Sequence, residues 1–236
     1  MFRGGVVRVA GLTRGRGRRA GGFAAALVGL LVSGCGGGAT AEDAAVKLLD
    51  GADTRPCSAQ LRAISLRNGE QVYQAQGRVN LNGPLTGRLA EETSGAPDED
   101  VIITATRVYR RPVSGSGAWA SFDAATAEGG IPAGNLRGYA RFLAVHGAKG
   151  AVGDDEGTGP TRRLTARTTP ADLKAVDPVA AGNLAGVDSF ANSVWIDGKG
   201  RVVRVEQEFT APDGSAVKNA LTLRDFGAPA AVLAPV

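Results

Sequence analysis

From Ser193 to Asp225 apolar and polar residues alternate with a period of two. Val203, Val205 and Phe209 oppose Arg204, Glu206 and Glu208, and Val217, Leu221 and Leu223 oppose Lys218, Thr222 and Arg224. That period belongs to strands with one buried and one wet face; a helix would need apolar residues three or four apart. Gly198-Lys199-Gly200 and Pro212-Asp213-Gly214-Ser215 separate three such strands, the signature of an antiparallel meander. A second alternating block starts at Gln71, where Tyr73, Ala75, Gly77, Val79 and Leu81 share one face against Val72, Gln74, Gln76, Arg78 and Asn80. Asn82-Gly83 is a hairpin turn signal, beyond which Leu85, Gly87 and Leu89 continue the pattern. Val101 to Tyr109 reads as one β-branched strand, and Trp119 to Phe122 as a returning one.

The segments between are expected to hold helices and loops. Thr40-Ala41-Glu42-Asp43 offers an N-cap with an acid three residues on, followed by Ala45, Leu48, Leu49 and Ala52 at helical spacing. Leu136, Tyr139 and Leu143 form another helical stripe, with Gly147 placed to end it. Gly150 to Pro160 is glycine-rich and acidic, hence expected to be a loop. Thr169-Pro170-Ala171-Asp172 opens a helix that Pro178 interrupts. Strands at both ends with helices between them predict an α+β fold, with helices on one side of a curved antiparallel sheet.

Charge excludes a polyanion-binding composition. Six of the 27 basic residues lie in residues 1 to 34, which hold no acid, so the remainder has 21 basic against 23 acidic residues. Nucleic acid is therefore not an expected partner. The early arginines precede an apolar stretch, Gly21 to Val32, that ends in Leu31-Val32-Ser33-Gly34-Cys35. Twelve residues of helix rise roughly 18 Å, short of the ~30 Å hydrocarbon core, so the segment reads as a signal peptide and not a span. Its end resembles the bacterial lipobox. That resemblance implies cleavage between Gly34 and Cys35, acylation of Cys35, and a lipid anchor holding the chain to the extracytoplasmic face of the cell membrane. The expected organisation is a signal peptide over 1–34, a lipidated cysteine and glycine tether over 35–39, and one domain over 40–236. With Cys35 blocked, Cys57 has no partner, so a hydrophobic core and not a disulfide must hold the domain. Cys57 itself is expected to be a half-buried thiol with no activating partner.

No catalytic motif stands out, and none of the residues implies a cofactor. His146, the one histidine, falls on the apolar stripe at the end of its predicted helix and reads as structural. One histidine and one unmodified cysteine do not make an ordinary zinc site. Asp154-Asp155-Glu156 reads as a solvated acidic run, and Asp225-Phe226-Gly227 as a strand end. The expectation is a protein that is not an enzyme.

Ser193-Val194-Trp195-Ile196-Asp197-Gly198-Lys199-Gly200-Arg201-Val202-Val203-Arg204-Val205, closing with Leu221-Thr222-Leu223-Arg224-Asp225-Phe226-Gly227-Ala228-Pro229, resembles the end of the LppX/LprG-type, LolA-like envelope lipoproteins. Those proteins carry a V-W-I-D-x-x-G-x-x-x-R hairpin and a S-D-F-G-x-P ending, and Thr169-Pro170-Ala171-Asp172-Leu173 is similar to their helix. The resemblance implies a half-barrel, a strongly curved antiparallel sheet with helices packed on its concave face around an apolar cavity. It also implies a protein that binds or carries lipid, glycolipid or other acylated ligands in the envelope. The strand residues placed to line such a cavity are Tyr73, Val79, Leu81, Val203, Val205, Phe209, Leu221 and Leu223; the helix stripe adds Leu136, Tyr139 and Leu143. The chain has few aromatics, and its early strands are rich in Gln, Arg and Asn, leaving open a small cavity or one filled by its own side chains. An interaction or sensing module using the same fold without cargo is the alternative.

Overall fold

The structure, a computed structural model, describes residues 40–114, 117–124, 133–146, 149–155 and 160–235. Helix α1 (Ala41–Gly51) leads into strands β1 (Cys57–Arg67), β2 (Glu70–Leu81), β3 (Thr86–Thr93), β4 (Glu99–Ile103), β5 (Arg107–Pro112) and β6 (Ala120–Asp123). A 3-10 turn (Ala133–Asn135) and helix α2 (Leu136–Val145) follow, then β7 (Lys149–Asp155), β8 (Pro160–Thr168) and the short helices α3 (Pro170–Leu173) and α4 (Pro178–Asn183). The chain ends in β9 (Phe190–Asp197), β10 (Val202–Thr210) and β11 (Ala216–Gly227). All these elements lie in one compact unit beginning at residue 39, which holds a complete core of its own.

The strands form one antiparallel sheet in the order β6-β5-β4-β3-β2-β1-β11-β10-β9-β8-β7. β6 and β7 are edges, so the sheet curves without closing, as the half-barrel reading requires. Two meanders, one from each end of the chain, meet where β1 pairs with β11, with Leu61 opposite Leu223 and Ala63 opposite Leu221. Among the described residues the helices cover one half of the concave face. α1 packs on β7, β8 and β9, and α2 on β8 and β10. Ala45 and Leu49 of α1, Tyr139 and Leu143 of α2, and Leu173 and Ala180 of the short helices enter one core with Leu164, Val194, Ile196 and Val205 of the sheet.

Local signals explain the helix starts. Thr40 Oγ1 accepts from the Asp43 amide and Asp43 Oδ2 from the Thr40 amide, both at 3.1 Å, and Thr169 and Asp172 repeat this reciprocal cap on α3. Elsewhere the structure corrects the sequence reading. Val101 to Tyr109 is not one strand, because Thr104 to Thr106 turn the chain between β4 and β5; the Thr104 amide donates to the Arg107 carbonyl at 2.8 Å. Gly150 to Pro160 is not simply a loop, since residues to Asp155 form edge strand β7 paired with β8. An edge strand needs only one partner and tolerates glycine and charge, which is why its composition looks loop-like. β1 is absent from the sequence reading because Ile64 and Leu66 place apolar residues opposite the inward Ala59, Leu61 and Ala63, blurring the alternation. Gly147, expected to end α2, lies outside the described residues; His146 caps the helix, its amide donating to Phe142 and Leu143 carbonyls.

The β9–β10 hairpin shows what its residues do. Asp197 Oδ1 accepts from the amides of Lys199 and Arg201, both at 2.9 Å, and Oδ2 accepts from Arg201 Nε at 2.8 Å. Gly200 sits at φ +77° with its Cα facing α1; a Cβ there would lie 2.1 Å from the Leu48 carbonyl oxygen. Trp195 points to the outer face between the guanidinium carbons of Arg163 and Arg204, 5.0 and 4.9 Å from its ring. A bulge between Val202 and Arg204 takes Val203 out of the regular alternation.

Two stability changes follow from this geometry. Gly200→Ala is expected to cost about 2 kcal/mol, from left-handed backbone strain and the clash with α1, read as a lower urea midpoint with unchanged m-value. On the outer face Glu206 accepts from Arg204 at 2.5 Å and pairs with Lys218 at 3.1 Å. Burial works to raise its carboxyl, but those hydrogen bonds and charges outweigh burial and hold it below its ordinary value. A depressed carboxyl contributes stability that is present above its unfolded value and lost as pH falls through the folded one. Glu206→Gln should therefore cost about 2 kcal/mol at neutral pH, and the gap to the parent should shrink in urea titrations run below about pH 4.5.

Candidate functional site

Among the described residues the concave face is open where the helices stop. A cavity of about 580 Å³ lies against β1 to β5 and β11, bounded on its far side by Ala133, Gly134 and Asn135. Its wall follows from strand register. Across adjacent strands Leu221, Ala63, Ala75 and Glu91 face each other in one row, and Leu223, Leu61, Gly77, Leu89 and Val101 in the next. Alanine at 63 and 75 and glycine at 77 leave the volume that larger side chains fill under the helices. Gly77 also permits a close backbone approach: a Cβ there would fall 2.0 Å from the Arg88 carbonyl oxygen, and one at Gly87 2.5 Å from that of Arg78.

The wall is not wholly apolar. Arg110 Nη1 donates to Glu91 at 2.5 Å and to Glu99 at 2.9 Å, and Glu91 is 7% exposed. Tyr73 is pushed above its ordinary pKa, first by burial and then by the charge of Glu91 and a hydrogen bond to it, with Arg110 opposing. The phenol therefore stays protonated and serves as a donor. Burial works to lower the Arg110 guanidinium, but the two carboxylates outweigh it and keep the charge in place. The cavity thus combines an aliphatic floor with a charged corner made of Tyr73, Glu91 and Arg110, and Ser65, donating to Asn219 at 2.8 Å, adds a neutral polar edge.

A smaller cavity of about 320 Å³ lies by the end of α1 and the β9–β10 hairpin, where Cys57, Leu81, Leu136 and Leu223 share the wall with Asp53, Arg137 and Arg201. Cys57 is half-buried; burial raises its thiol above the ordinary value, which leaves it a poor nucleophile.

The eleven residues read from sequence as a cavity lining separate into three groups. Tyr73, Val79 and Leu221 line the larger cavity, and Leu81, Leu136 and Leu223 the smaller. Tyr139, Leu143 and Val205 lie in filled core, Phe209 packs partly buried against it, and Val203 is buried at the bulge. Tyr139 is held there by polar partners: its hydroxyl donates to Asn192 Oδ1 and accepts from Gln207 Nε2 at 3.0 Å, while Asn192 Nδ2 donates to Thr168 at 2.8 Å. Ala63, Leu89, Val101, Glu91 and Arg110 were missed. The available signal was the run of small residues on the inner faces of β1 and β2, which marks where the wall lacks bulk.

His146 stands at the end of α2, with Nδ1 2.9 Å from the Phe142 carbonyl and its ring tilted by 45° against that of Phe142, centroids 4.1 Å apart. Among the described residues no group of three or more His, Cys, Asp or Glu side chains is placed to hold a metal ion, and no helix is long and apolar enough to cross a membrane. Gly34 and Cys35 lie outside the described residues, as do the side chains of Asp154-Asp155-Glu156.

No family model and no curated protein matches the sequence. Solved structures do match the fold. LprF from Mycobacterium bovis aligns with a TM-score of 0.53 at 15% identity, over 81% of this chain and 97% of that one. The Mycobacterium tuberculosis lipoprotein LppX aligns with a TM-score of 0.53 at 14% identity, over 80% of this chain and 96% of that one. The architecture is therefore the open half-barrel that LprF and LppX share. At such identities the similarity is one of fold.

Proposed function

We propose that this chain is a lipid-anchored extracytoplasmic lipoprotein whose domain binds or carries an acylated ligand in the cell envelope. The observation that carries the reading is the open half of the concave face. A cavity of about 580 Å³ falls within the ~300–1,000 Å³ of small-ligand sites. Its aliphatic floor suits an acyl chain, since each methylene removed from water contributes about 0.8 kcal/mol. Its polar corner suits the head of an amphiphile: Tyr73 and Arg110 supply donors and Glu91 an acceptor. LppX, one of the solved structures that share this fold, is named as a lipoprotein, which supports the same reading. Anchoring rests on the lipobox resemblance at Cys35, where two or three acyl chains would hold the domain almost irreversibly.

Native mass spectrometry of residues 39 to 236, followed by solvent extraction, tests the cargo. Acyl lipid should co-purify, and Leu89→Trp, which fills the cavity from its wall, should abolish it while leaving the fold intact by circular dichroism. A folded protein that carries no lipid and takes none up would favour an interaction module instead. For the anchor, Cys35→Ala should leave an uncleaved or released form; unchanged fractionation with the membrane and an unchanged mature mass would refute lipidation.

A further inference from the structure

The outer face of the sheet carries a feature that composition conceals. The chain beyond residue 34 is slightly acidic, yet the fold sorts its charges. Arg224 of β11, Gln60 of β1, Arg78 of β2 and Arg88 of β3 stand directly opposite one another in one unbroken row. The residues flanking them in sequence, Leu223, Leu61, Val79 and Leu89, face the core side, so the row points outward. In the adjacent row on the same face Arg62 lies between Thr222 and Gln76. Arg62, Arg78, Arg88 and Arg224 are all exposed.

None of the four has a carboxylate partner among the described residues. Arg62 donates to Gln74 at 3.1 Å, and Arg78 to Ser58 Oγ at 2.7 Å and the Asp225 carbonyl at 3.1 Å. Two acids of this face are engaged elsewhere, Asp100 with Arg111 at 2.8 Å and Glu206 with Arg204 and Lys218, while Glu92 of β3 stands opposite Gln74, two rows from the arginine row. Four strands span roughly 14 Å at ~4.8 Å per step. Neighbouring arginines of the row, one or two strand steps apart, lie within about the ~8–10 Å over which exposed charges act together in physiological salt, while the two ends of the row are largely screened from each other. Arg78 and Arg88, moreover, are a directly opposed like-charge pair, an arrangement that lowers the stability of a sheet. A domain that keeps such a row on the exposed convex face of its sheet gains from it outside the fold.

We infer that the outer face of β11-β1-β2-β3 docks on an anionic lipid surface through Arg62, Arg78, Arg88 and Arg224. Anionic head groups complement an unpaired arginine row, and guanidinium forks match phosphate oxygens. The choice of a membrane over another polyanion rests on the anchored, extracytoplasmic reading above, which keeps the domain beside such a surface. Docked this way, the domain would rest the convex side of its sheet on the bilayer with its concave side turned away.

Residues 39 to 236 can be sedimented with vesicles of phosphatidylcholine alone and of phosphatidylcholine mixed equally with phosphatidylglycerol. The domain should bind only the anionic vesicles, and added salt should release it. Each arginine removed should weaken binding about fivefold, so the double variant Arg88→Gln/Arg224→Gln should bind about 25-fold more weakly. Its urea midpoint should equal or exceed that of the parent, because the change relieves the opposed pair. Equal binding to both vesicles, no binding to either, or a variant that binds anionic vesicles undiminished would overturn the inference. Lipid retention by the cavity, read separately by native mass spectrometry, would survive such a result, whereas its loss would strike the cargo reading and leave the docking result standing.

Discussion

One strand pairing joins the two ends of this protein. β1 and β11 run antiparallel over most of their lengths, and the Ser58 hydroxyl donates to the Ala228 carbonyl across 170 residues of chain. Each meander alone would leave an edge and half a core; joined, they become a single sheet long enough to curve around a filling. The apolar contacts at the seam, Leu61 on Leu223 and Ala63 on Leu221, are also the middle of the concave face. Such a long-range closure is entropically costly, so the fold depends on burying that face well.

The filling is uneven, and the unevenness creates the site. Under β7 to β10 four helices supply leucine, tyrosine and alanine, and the core is closed around Tyr139 and its hydrogen-bonded partners. Under β1 to β5 no helix arrives among the described residues, and alanine or glycine stands where a leucine would close the gap. One sheet is thus a packed core at one end and a binding wall at the other. Its outer face is sorted as well, with paired charges around Trp195 and Glu206 on one side and an unpaired arginine row on the other.

The residues with the most recognisable spelling proved to be structural. Asp197 organises the hairpin turn, Gly200 lets it rest on α1, and Arg204 covers the outward Trp195. Arg201 in turn stacks on Phe226, 4.0 Å from its ring, tying the hairpin to the end of β11. They determine a fold that several proteins use, and carry no chemistry that would identify a ligand. By contrast the polar corner of the cavity, Glu91 with Arg110, comes from strands that read only as charged and alternating.

The sequence by itself determined the local elements: the capped starts of α1 and α3, the hairpins after Leu81, Asp197 and Thr210, and which face of β2, β10 and β11 is apolar. These are short-range matters, decided by turn chemistry, capping side chains and a period of two. Only the tertiary structure decided that β7 and β8 are strands, that Val205 and Leu143 are core while Leu89 and Val101 line space, and that three arginines form one row with a fourth in the row beside it. A side chain's inward direction is a property of its own strand, but whether anything fills the space beyond it depends on which distant element packs there. Likewise a charge is written in the sequence, while its neighbours are set by register across strands far apart in the chain.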